Sequence, residues 1–481
     1  MARSRQPNIL LFIPDQLRAD AVGPGNAIGA KTPNVDKLMQ RGVNFTRAIC
    51  PSPLCGPSRA CLATGLEYDR NPVPSNAFSI SETGPNLYRQ MANSGYEVMT
   101  CGKVDLLKGE LDWGRDGQHA ANGISRLKQL GFTGGLDSAG KHATLMAYDA
   151  GKDEPYICYL RDRGLEDRYV ADMRNRRSFA LGKDRILYPG AGPNYVHTAP
   201  SDLPEDAYQD NWIGQCGLDL LETAANKGKS WFLQVNLAGP HEPVNVTRQM
   251  AESVADRDPP LPANRGELEA EQHRAIRRNY IAMAENVDAI FGRYMAFLER
   301  TGQLDNTIVI FTSDHGEMLG DAALWEKSVP HQPSISVPLV IAGPGVTAGA
   351  RTDQPSTILD LHATLLDLAG ADPLPDVDSL SLVPVLADPQ KRLRDVVFSG
   401  LANWRIAFDG QYKMVAGYVP GQSRADSERG TFSADDSATW RLVAPFADPQ
   451  EDGNLCAKEP ERCAALKQAL ERELTRSRAA A

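Results

Sequence analysis

The chain has 481 residues, with 51 basic and 61 acidic side chains, and its formal net charge is −10. A chain of this length favours two domains, one large and one small. The acidic balance argues against a general nucleic-acid binder. No apolar run approaches the roughly 18 residues that cross a membrane. We therefore expect neither a nucleic acid nor a membrane as a partner.

The N-terminal residues and the cysteines indicate a location. Residues 1–7 are partly basic, but the apolar run after them spans only residues 9–13, and no small-residue cleavage site follows. A mature form without its leader would look the same, although the intact Met1 argues against that. Eight cysteines predict no disulfide framework, and Cys456 and Cys463 are consistent with one helix face or with chance. We expect a cytoplasmic protein with reduced cysteines.

Short apolar runs alternate with helical patterns, which predicts an α/β fold with a mainly parallel sheet. Four of these runs lead into polar residues. They are residues 8–14 before Asp15 and Gln16, residues 96–101 before Lys103 and Asp105, residues 231–237 before His241, and residues 307–312 before Asp314 and His315. Ligands of open α/β sheets bind outside the carboxyl ends of the strands. We therefore expect these distant segments to line one crevice.

Helical patterns lie between and after these runs. A helix is expected to start at Pro33, a second to cover residues 203–225, and a third to cover residues 267–300. Residues 134–200, rich in Gly, Asp and Arg, are predicted to form an insertion on the substrate side. Two prolines after Gly370 indicate a domain boundary. We predict a catalytic domain over residues 1–373 and a smaller α+β domain over residues 374–481, with antiparallel strands and a closing helix at 466–474.

The most informative segment is Cys55-Gly56-Pro57-Ser58-Arg59, followed by Thr64-Gly65. Pro57 suits the first turn of a helix, and the start of a helix offers free N–H groups to an anion. A buried structural cysteine is the alternative. The segment resembles the sulfatase signature C-x-P-S-R-x(4)-T-G, and the segments around Asp15, at 102–103, 313–317, 324–327 and 337–339 match that family in the same order. The resemblance implies the alkaline-phosphatase/sulfatase-like fold, a large sheet flanked by helices with a smaller C-terminal domain.

The resemblance to formylglycine-dependent type I sulfatases also implies a modified nucleophile. A formylglycine-generating enzyme would convert Cys55 to formylglycine (3-oxoalanine) during maturation. One hydroxyl of the hydrated aldehyde would attack sulfur and expel the alcohol. The second would lose its proton and eliminate sulfate, which regenerates the aldehyde. Asp15, Gln16, Asp314 and His315 would hold a divalent metal together with the modified Cys55. The oxygen-rich set favours Ca²⁺, with Mg²⁺, Mn²⁺ or Zn²⁺ also open.

The resemblance assigns roles to four further residues, and proximity to one of them suggests a role for a fifth. Arg59 would stabilise the formylglycine hydrate, and Lys103 and Lys327 would contact sulfate oxygens. His241 would bind sulfate or act as the acid for the leaving group. His331, close after Lys327, is predicted to line the substrate pocket. The alternative for each is an ordinary structural or solvated side chain.

Two positions depart from the common sulfatase pattern. Gln16 stands where many members have a second Asp, a feature shared with phosphonate monoester hydrolases and with some sulfatases. Asp105 stands where the Gly-Lys-x-His pattern has a sulfate-contacting histidine. Asp105 could orient Lys103 or the formylglycine hydroxyl instead, because an ionised carboxylate cannot donate to sulfate.

We therefore predict hydrolysis of sulfate monoesters of a sugar, aryl or alkyl alcohol. A phosphonate monoester or phosphodiester hydrolase with the same nucleophile is the alternative, and a non-catalytic binding protein is a third hypothesis. Six arginines between residues 161 and 177 indicate either recognition of a carboxylated or multiply sulfated sugar or a solvated charged face. The sequence leaves the oligomeric state open, and a homo-oligomer is one of the alternatives.

Overall fold

The computed structural model describes residues 6–178, 193–266, 268–419, 432 and 440–480. The strands are β1 Asn8–Asp15, β2 Gly42–Phe45, β3 Ala48–Ile49, β4 Glu97–Gly102, β5 Gly134–Gly135, β6 Trp231–Pro240, β7 Thr307–Thr312, β8 Leu339–Ala342, β9 Ala350–Thr352, β10 Ser356–Thr357, β11 Val397–Leu401, β12 Trp404–Phe408, β13 Lys413–Ala416 and β14 Arg441–Val443. The α-helices are α1 Pro33–Arg41, α2 Cys55–Thr64, α3 Leu87–Asn93, α4 Arg126–Gln129, α5 Lys141–Asp149, α6 Pro155–Asp162, α7 Glu166–Ser178, α8 Pro193–Val196, α9 Gln209–Ala225, α10 Arg248–Ser253, α11 Ala270–Arg300, α12 Gln332–Ile335, α13 Leu361–Ala369, α14 Val383–Ala387 and α15 Pro460–Ala480.

The large sheet has the strand order β5-β4-β6-β1-β7-β8-β2-β9. All of these strands run in one direction except β8, which pairs antiparallel with β7 and β2. The central strands are buried along their whole length, as parallel strands covered by helices on both faces must be. The predicted α/β fold with a mainly parallel sheet is therefore confirmed.

The alternation of side chains along β1 divides the interior into two layers. Leu10 and Phe12 point to one face, where α9 and α11 pack. Ile9, Leu11 and Ile13 point to the other face, which is covered by the helices α2, α3 and α13. This period of two is the normal geometry of a strand. It leaves the carboxyl end of β1 between the two helical layers.

Two long helices begin later than the sequence indicated. Helix α9 starts at Gln209 rather than at residue 203, because Pro204 and a 3₁₀ turn at Glu205–Ala207 precede it and Tyr208 is extended. Helix α11 starts at Ala270 rather than at residue 267, and position 267 itself lies outside the described residues. The predicted start at Pro33 is confirmed.

The C-terminal part forms a second, antiparallel sheet with the order β11-β12-β13-β14. Helix α15 begins at Pro460, earlier than predicted, and its Leu466, Leu470 and Leu474 pack against Met414 and Leu442. Other side chains of this sheet join the core beneath the large sheet. The division into domains at residues 373 and 374 stays a prediction.

The structure bears on the cysteine pair near the C-terminus and on membrane-spanning helices. The structure contains a disulfide between Cys456 and Cys463, so the interpretation of this pair as a helix face or chance was wrong. Cys463 lies in the first turn of α15 and Cys456 in the segment before it, and this turn brings the two side chains together. Among the described residues, no helix is both long and apolar enough to span a membrane.

Candidate active site

Four adjacent strands, in the order β4-β6-β1-β7, bring the predicted residues to one edge of the sheet. Asp15 ends β1, Lys103 follows β4, and His241 follows β6. Asp314 and His315 follow β7 after one intervening residue. These are the four segments that the sequence predicted to line one crevice, and the structure brings them together around Cys55.

The local sequence explains why Cys55 is presented at this edge. Cys55 opens α2, and Pro57 occupies its first turn, where a missing N–H leaves no acceptor without a partner. Gly65 closes the helix with φ 75°, and a side chain there would meet His362 at 2.8 Å. Gly102 lets the chain leave β4 towards the site, because a Cβ at this position would lie 2.0 Å from the carbonyl oxygen of Asn236.

Cys55 is buried among charged groups. Its Sγ lies 3.2 Å from His315 Nε2, 3.2 Å from Lys103 Nζ and 3.7 Å from Asp15 Oδ1. Burial and the Asp15 carboxylate raise the pKa of the Cys55 thiol, but Lys103, His315 and Lys108 outweigh them, so the pKa lies below its usual value. Cationic surroundings of this kind favour an anion beside the side chain at position 55.

Arg59 holds the two carboxylates that face Cys55. Its Nε donates to Asp314 Oδ2 at 2.9 Å, and its Nη2 donates to Asp15 Oδ2 at 3.2 Å. Nη1 donates to the carbonyl of Lys103 and to Asn236 Oδ1, at 2.7 and 2.9 Å. The guanidinium therefore fixes the ends of three strands at once, and it reaches Cys55 through these partners.

A group of four buried side chains could hold a metal ion. One ligand atom each from Asp15, Cys55, Asp314 and His315 lies within 4.8 Å of every other. Burial raises the pKa of the Asp15 carboxyl, but Lys103, His241 and Arg59 outweigh it, and the pKa lies well below its usual range. Asp15 is therefore an ionised, buried carboxylate, which is the state that a cation requires of its ligand.

Gln16 stands beside this group with its amide in a fixed orientation. Its backbone is left-handed, with φ 64°, and its N–H donates to Asp314 Oδ1 at 3.0 Å. Its Nε2 donates to the carboxylates of both Glu242, at 2.8 Å, and Glu317. Lys327 can only donate, and it donates to the amide oxygen of Gln16, so the NH₂ group must face the two carboxyl groups.

His241 and Lys327 form a close pair. Lys327 Nζ lies 2.6 Å from His241 Nε2, and His241 Nδ1 lies 2.7 Å from the carbonyl oxygen of Glu242. A carbonyl oxygen can only accept, so Nδ1 carries a hydrogen. Nε2 therefore carries no hydrogen of its own, and it shares one proton of the Lys327 amino group in a hydrogen bond. His241 Nε2 also lies 4.0 Å from Asp15 Oδ1, which places the pair next to the Cys55 group.

Asp105 links two lysines rather than facing the site as a histidine would. Its Oδ2 lies 3.4 Å from Lys103 Nζ and 2.8 Å from Lys108 Nζ. Burial raises the pKa of Asp105, but the two lysines and Arg59 lower it to about 2, so the carboxylate is ionised at neutral pH. These contacts agree with the hypothesis that Asp105 orients Lys103.

The structure does not join two other predicted features to Cys55. Within the described residues, His331 contacts Tyr418, with ring centroids 5.6 Å apart, and has no bond to the Cys55 group. Arg161, Arg163 and Arg174 pair with nearby acids and keep part of their side chains exposed, which favours the solvated charged face for these three. Arg176 is buried and pairs with Asp172. The side chain of the last of the six arginines, at position 177, lies outside the described residues.

Sequence reasoning missed the residues that orient the site from behind. They are Lys108, Lys141, Tyr195, Asn236, Glu242 and Glu317. Burial and Glu242 raise the pKa of Glu317 to about 7, and Tyr195 donates to its Oε2 at 2.7 Å. Glu242 directly follows His241, and Glu317 is the last residue of the matched segment 313–317. A charged residue so close to a predicted site residue was the available signal.

Comparison with known proteins decides the family. The profile of the Sulfatase family matches residues 7–371. The chain belongs to the sulfatase family. The resemblance that the Cys55 segment indicated is therefore confirmed, and the chain is a hydrolase of the sulfatase class.

Individual relatives are distant but cover most of the chain. The multifunctional alkaline phosphatase superfamily protein PehA of Trinickia caryophylli is 28% identical over 422 residues, which are 79% of this chain and 77% of that protein. An arylsulfatase of Clostridium perfringens is 24% identical over 416 residues, with 82% and 81% covered. The phosphonate monoester hydrolase of Agrobacterium radiobacter has the same fold, with a TM-score of 0.72, 23% identity, and 98% and 95% of the two chains covered.

Proposed function

We propose that this sulfatase-family member hydrolyses sulfate monoesters, with a formylglycine made from Cys55 as the nucleophile and a divalent metal beside it. The observation that carries the proposal is the set of four ligand atoms around Cys55, from two carboxylates, His315 and Cys55 itself, within 4.8 Å of one another. The hydrated aldehyde would supply two hydroxyls on one carbon, so the sulfated enzyme needs no attack by water at sulfur. A formylglycine-generating enzyme is the partner that this modification requires.

The donor atoms fit a divalent cation. Asp15 and Asp314 offer carboxylate oxygens, and hard ions such as Ca²⁺ and Mg²⁺ prefer such ligands. Gln16 would add its amide oxygen, which in this structure accepts from Lys327. His315 offers a nitrogen, which Mn²⁺ and Zn²⁺ also accept. We propose Ca²⁺ as the ion. When bound, the ion would polarise the sulfate oxygens and favour loss of the proton from the attacking hydroxyl.

The lysines of the site would bind the sulfate group. Lys103 Nζ lies 3.2 Å from Cys55 Sγ, so its ammonium is within reach of an oxygen on sulfur attacked from position 55. Asp15 and Asp105 hold this ammonium in place. Positive groups fixed beforehand stabilise the charge that develops in the transition state without reorganisation at the moment of reaction.

The His241–Lys327 pair would serve the leaving oxygen. When the S–O bond to the alcohol breaks, the proton held between Nε2 and Nζ moves to that oxygen, and the alcohol leaves neutral. Such proton transfer matters most for alkyl sulfates, because an alkoxide is a far poorer leaving group than a phenolate. We keep sugar, aryl and alkyl sulfates as the substrate class.

Two measurements on protein expressed with a formylglycine-generating enzyme test the proposal. Mass spectrometry of the peptide that contains Cys55 is expected to show one oxygen in place of a sulfur and two hydrogens. Turnover of 4-nitrophenyl sulfate is expected, and Cys55→Ala is the matched control that removes it. A native protein with unmodified Cys55 and no turnover would show that the chain is a non-catalytic member of its family.

The alternative is a phosphonate monoester or phosphodiester hydrolase with the same nucleophile. Gln16 in place of a second carboxylate is the observation that keeps it open. Comparison of kcat/KM for 4-nitrophenyl sulfate and 4-nitrophenyl phenylphosphonate separates the two, because the leaving group is the same. A higher value for the phosphonate would favour the alternative.

The cytoplasmic location also stays a proposal. A disulfide such as Cys456–Cys463 is more common in oxidising compartments. Cell fractionation of the native source, with thiol labelling of this pair, tests the location directly. Recovery of the protein in the cytoplasmic fraction is the expected result, with this pair labelled only after a reductant is added, and recovery of the protein outside the cytoplasm would contradict the proposal.

A further inference from the structure

Lys141 is a buried lysine that contacts the loop carrying His241. It opens α5, and its side chain is only 3% exposed. Its Nζ donates to the carbonyl of His241 at 2.9 Å and to the carbonyl of Pro243 at 3.0 Å. Among the described residues, no carboxylate forms an ion pair with it. Burying a charged amino group without a carboxylate partner costs free energy, and its hydrogen bonds to these two carbonyls are what offset that cost.

The two carbonyls that Lys141 binds lie on either side of Glu242. The carbonyl of Glu242 itself accepts from His241 Nδ1 at 2.7 Å. Fixing the flanking peptide groups therefore fixes the direction of the Glu242 carbonyl. That carbonyl in turn holds the hydrogen on Nδ1 and leaves Nε2 facing Lys327.

The segment before Lys141 contacts the loop that carries Lys103, also through backbone groups. Asp137 Oδ1 accepts from the N–H of Val104 at 2.8 Å, and the N–H of Ser138 donates to the carbonyl of Gly102 at 2.8 Å. Gly140 packs so closely that a Cβ there would lie 2.8 Å from Cε of Lys103. Residues 137–141 thus touch both the Lys103 loop and the His241 loop.

We propose that Lys141 is a positioning residue that sets the tautomer and the orientation of His241 for proton transfer to the leaving oxygen. The inference rests on the proposed function of the His241–Lys327 pair and extends it to the inserted region. A residue that only stabilises the fold would lower all activities alike. A residue that positions the proton donor has a larger effect on substrates with poor leaving groups.

The test compares kcat/KM for 4-nitrophenyl sulfate with that for an unactivated alkyl sulfate. For Lys141→Met we expect the alkyl sulfate to lose about tenfold more than the aryl sulfate, a part of the 10²–10⁴-fold that general acid catalysis contributes. His241→Ala should show the same selective loss. Lys141→Arg, which keeps donors for both carbonyls, should restore most of it. Lys413→Met is the matched control, because Lys413 is a buried lysine that donates to the carbonyl of Pro330 and pairs with Glu451.

The outcomes separate the two claims. If His241→Ala shows the selective loss and Lys141→Met lowers both substrates equally, the role of Lys141 is refuted while the proposed function stands. If His241→Ala shows no selective loss, the leaving-group role of the pair falls, and the inference falls with it. Should Lys141→Met fail to fold, Lys141→Gln keeps a donor for one carbonyl. In that variant, ¹⁵N NMR of the His241 ring is expected to show a mixture of the Nδ1-H and Nε2-H tautomers. A ring that keeps its hydrogen on Nδ1, as in the wild type, would refute the inference.

Discussion

Titration of the buried Lys141 should make a measurable contribution to the pH dependence of the protein's stability. Burial lowers the pKa of Lys141, Arg176 lowers it further, and Asp210 and Glu242 oppose them, with a resulting pKa of about 8. In the unfolded chain the lysine has its ordinary value of 10.5. Between these values the unfolded chain binds a proton that the folded chain does not. The free energy of unfolding therefore rises as the pH rises.

The size of the effect follows from the two pKa values. A difference of about 2.5 units corresponds to about 3 kcal/mol, which penalises the folded state in full below pH 8 and disappears above pH 10.5. Between pH 7 and 9.5, about 2 kcal/mol of this penalty is removed. The neutral amine still has two hydrogens for the two carbonyls, so these hydrogen bonds survive deprotonation.

Urea denaturation of the wild type and of Lys141→Met, at several pH values between 7 and 9.5, measures the contribution of Lys141 to the free energy of unfolding. The variant carries no titrating group at this position, so the difference between the two free energies of unfolding isolates Lys141. We expect that difference to move by about 2 kcal/mol in favour of the wild type as the pH rises. Lys152→Met removes a more exposed lysine just after the same helix and serves as the control. A constant difference, or one that moves the other way, would refute the reasoning.

Three further predictions concern the site and the C-terminal helix. Cys55→Ala should melt like the wild type and lose turnover of 4-nitrophenyl sulfate by about 10⁴-fold or more, and residual turnover above a hundredth of the wild-type value would contradict it. Glu317→Ala should bind Ca²⁺ about 10–100-fold more weakly in calorimetric titrations, because it frees the amide of Gln16, and an unchanged affinity would argue against that role. Cys456→Ser should lower the free energy of unfolding by about 2 kcal/mol with kcat unchanged, a difference that dithiothreitol should abolish.

The sequence was sufficient to predict the strand ends that build the site. Residues 8–14 and 307–312 are short apolar runs that end in Asp15 and in Asp314, and the carboxyl ends of parallel strands must meet at one edge. The helix that starts at Cys55 was equally readable from Pro57. These features are local, or they follow from one general rule of topology.

Other features were out of reach because they depend on contacts between distant parts of the chain. Gln16 is oriented by Glu242 and Glu317, which lie 226 and 301 positions away in sequence. Lys141 lies in a segment with weak periodicity, where a lone lysine looks solvated. Helix α9 starts at Gln209 rather than at the predicted residue 203, because Pro204 and a 3₁₀ turn interrupt the amphipathic pattern before it.

The contacts of Gln16 also change how its departure from the common pattern is understood. A neutral amide at this position removes a negative charge from the donor set. The structure places two carboxylates, Glu242 and Glu317, directly behind that amide, and Lys327 lies 3.6 Å from Glu242 Oε2. The two carboxyl groups are therefore one hydrogen bond away from the amide, and Glu317, with its pKa of about 7, carries part of its negative charge at neutral pH. Lys327 is held by Gln16 and Glu242 together. If Lys327 serves the leaving oxygen as proposed, its charge would depend on both residues, and variants of these three residues and of Asp105 are the ones expected to change the preference for sulfur or phosphorus.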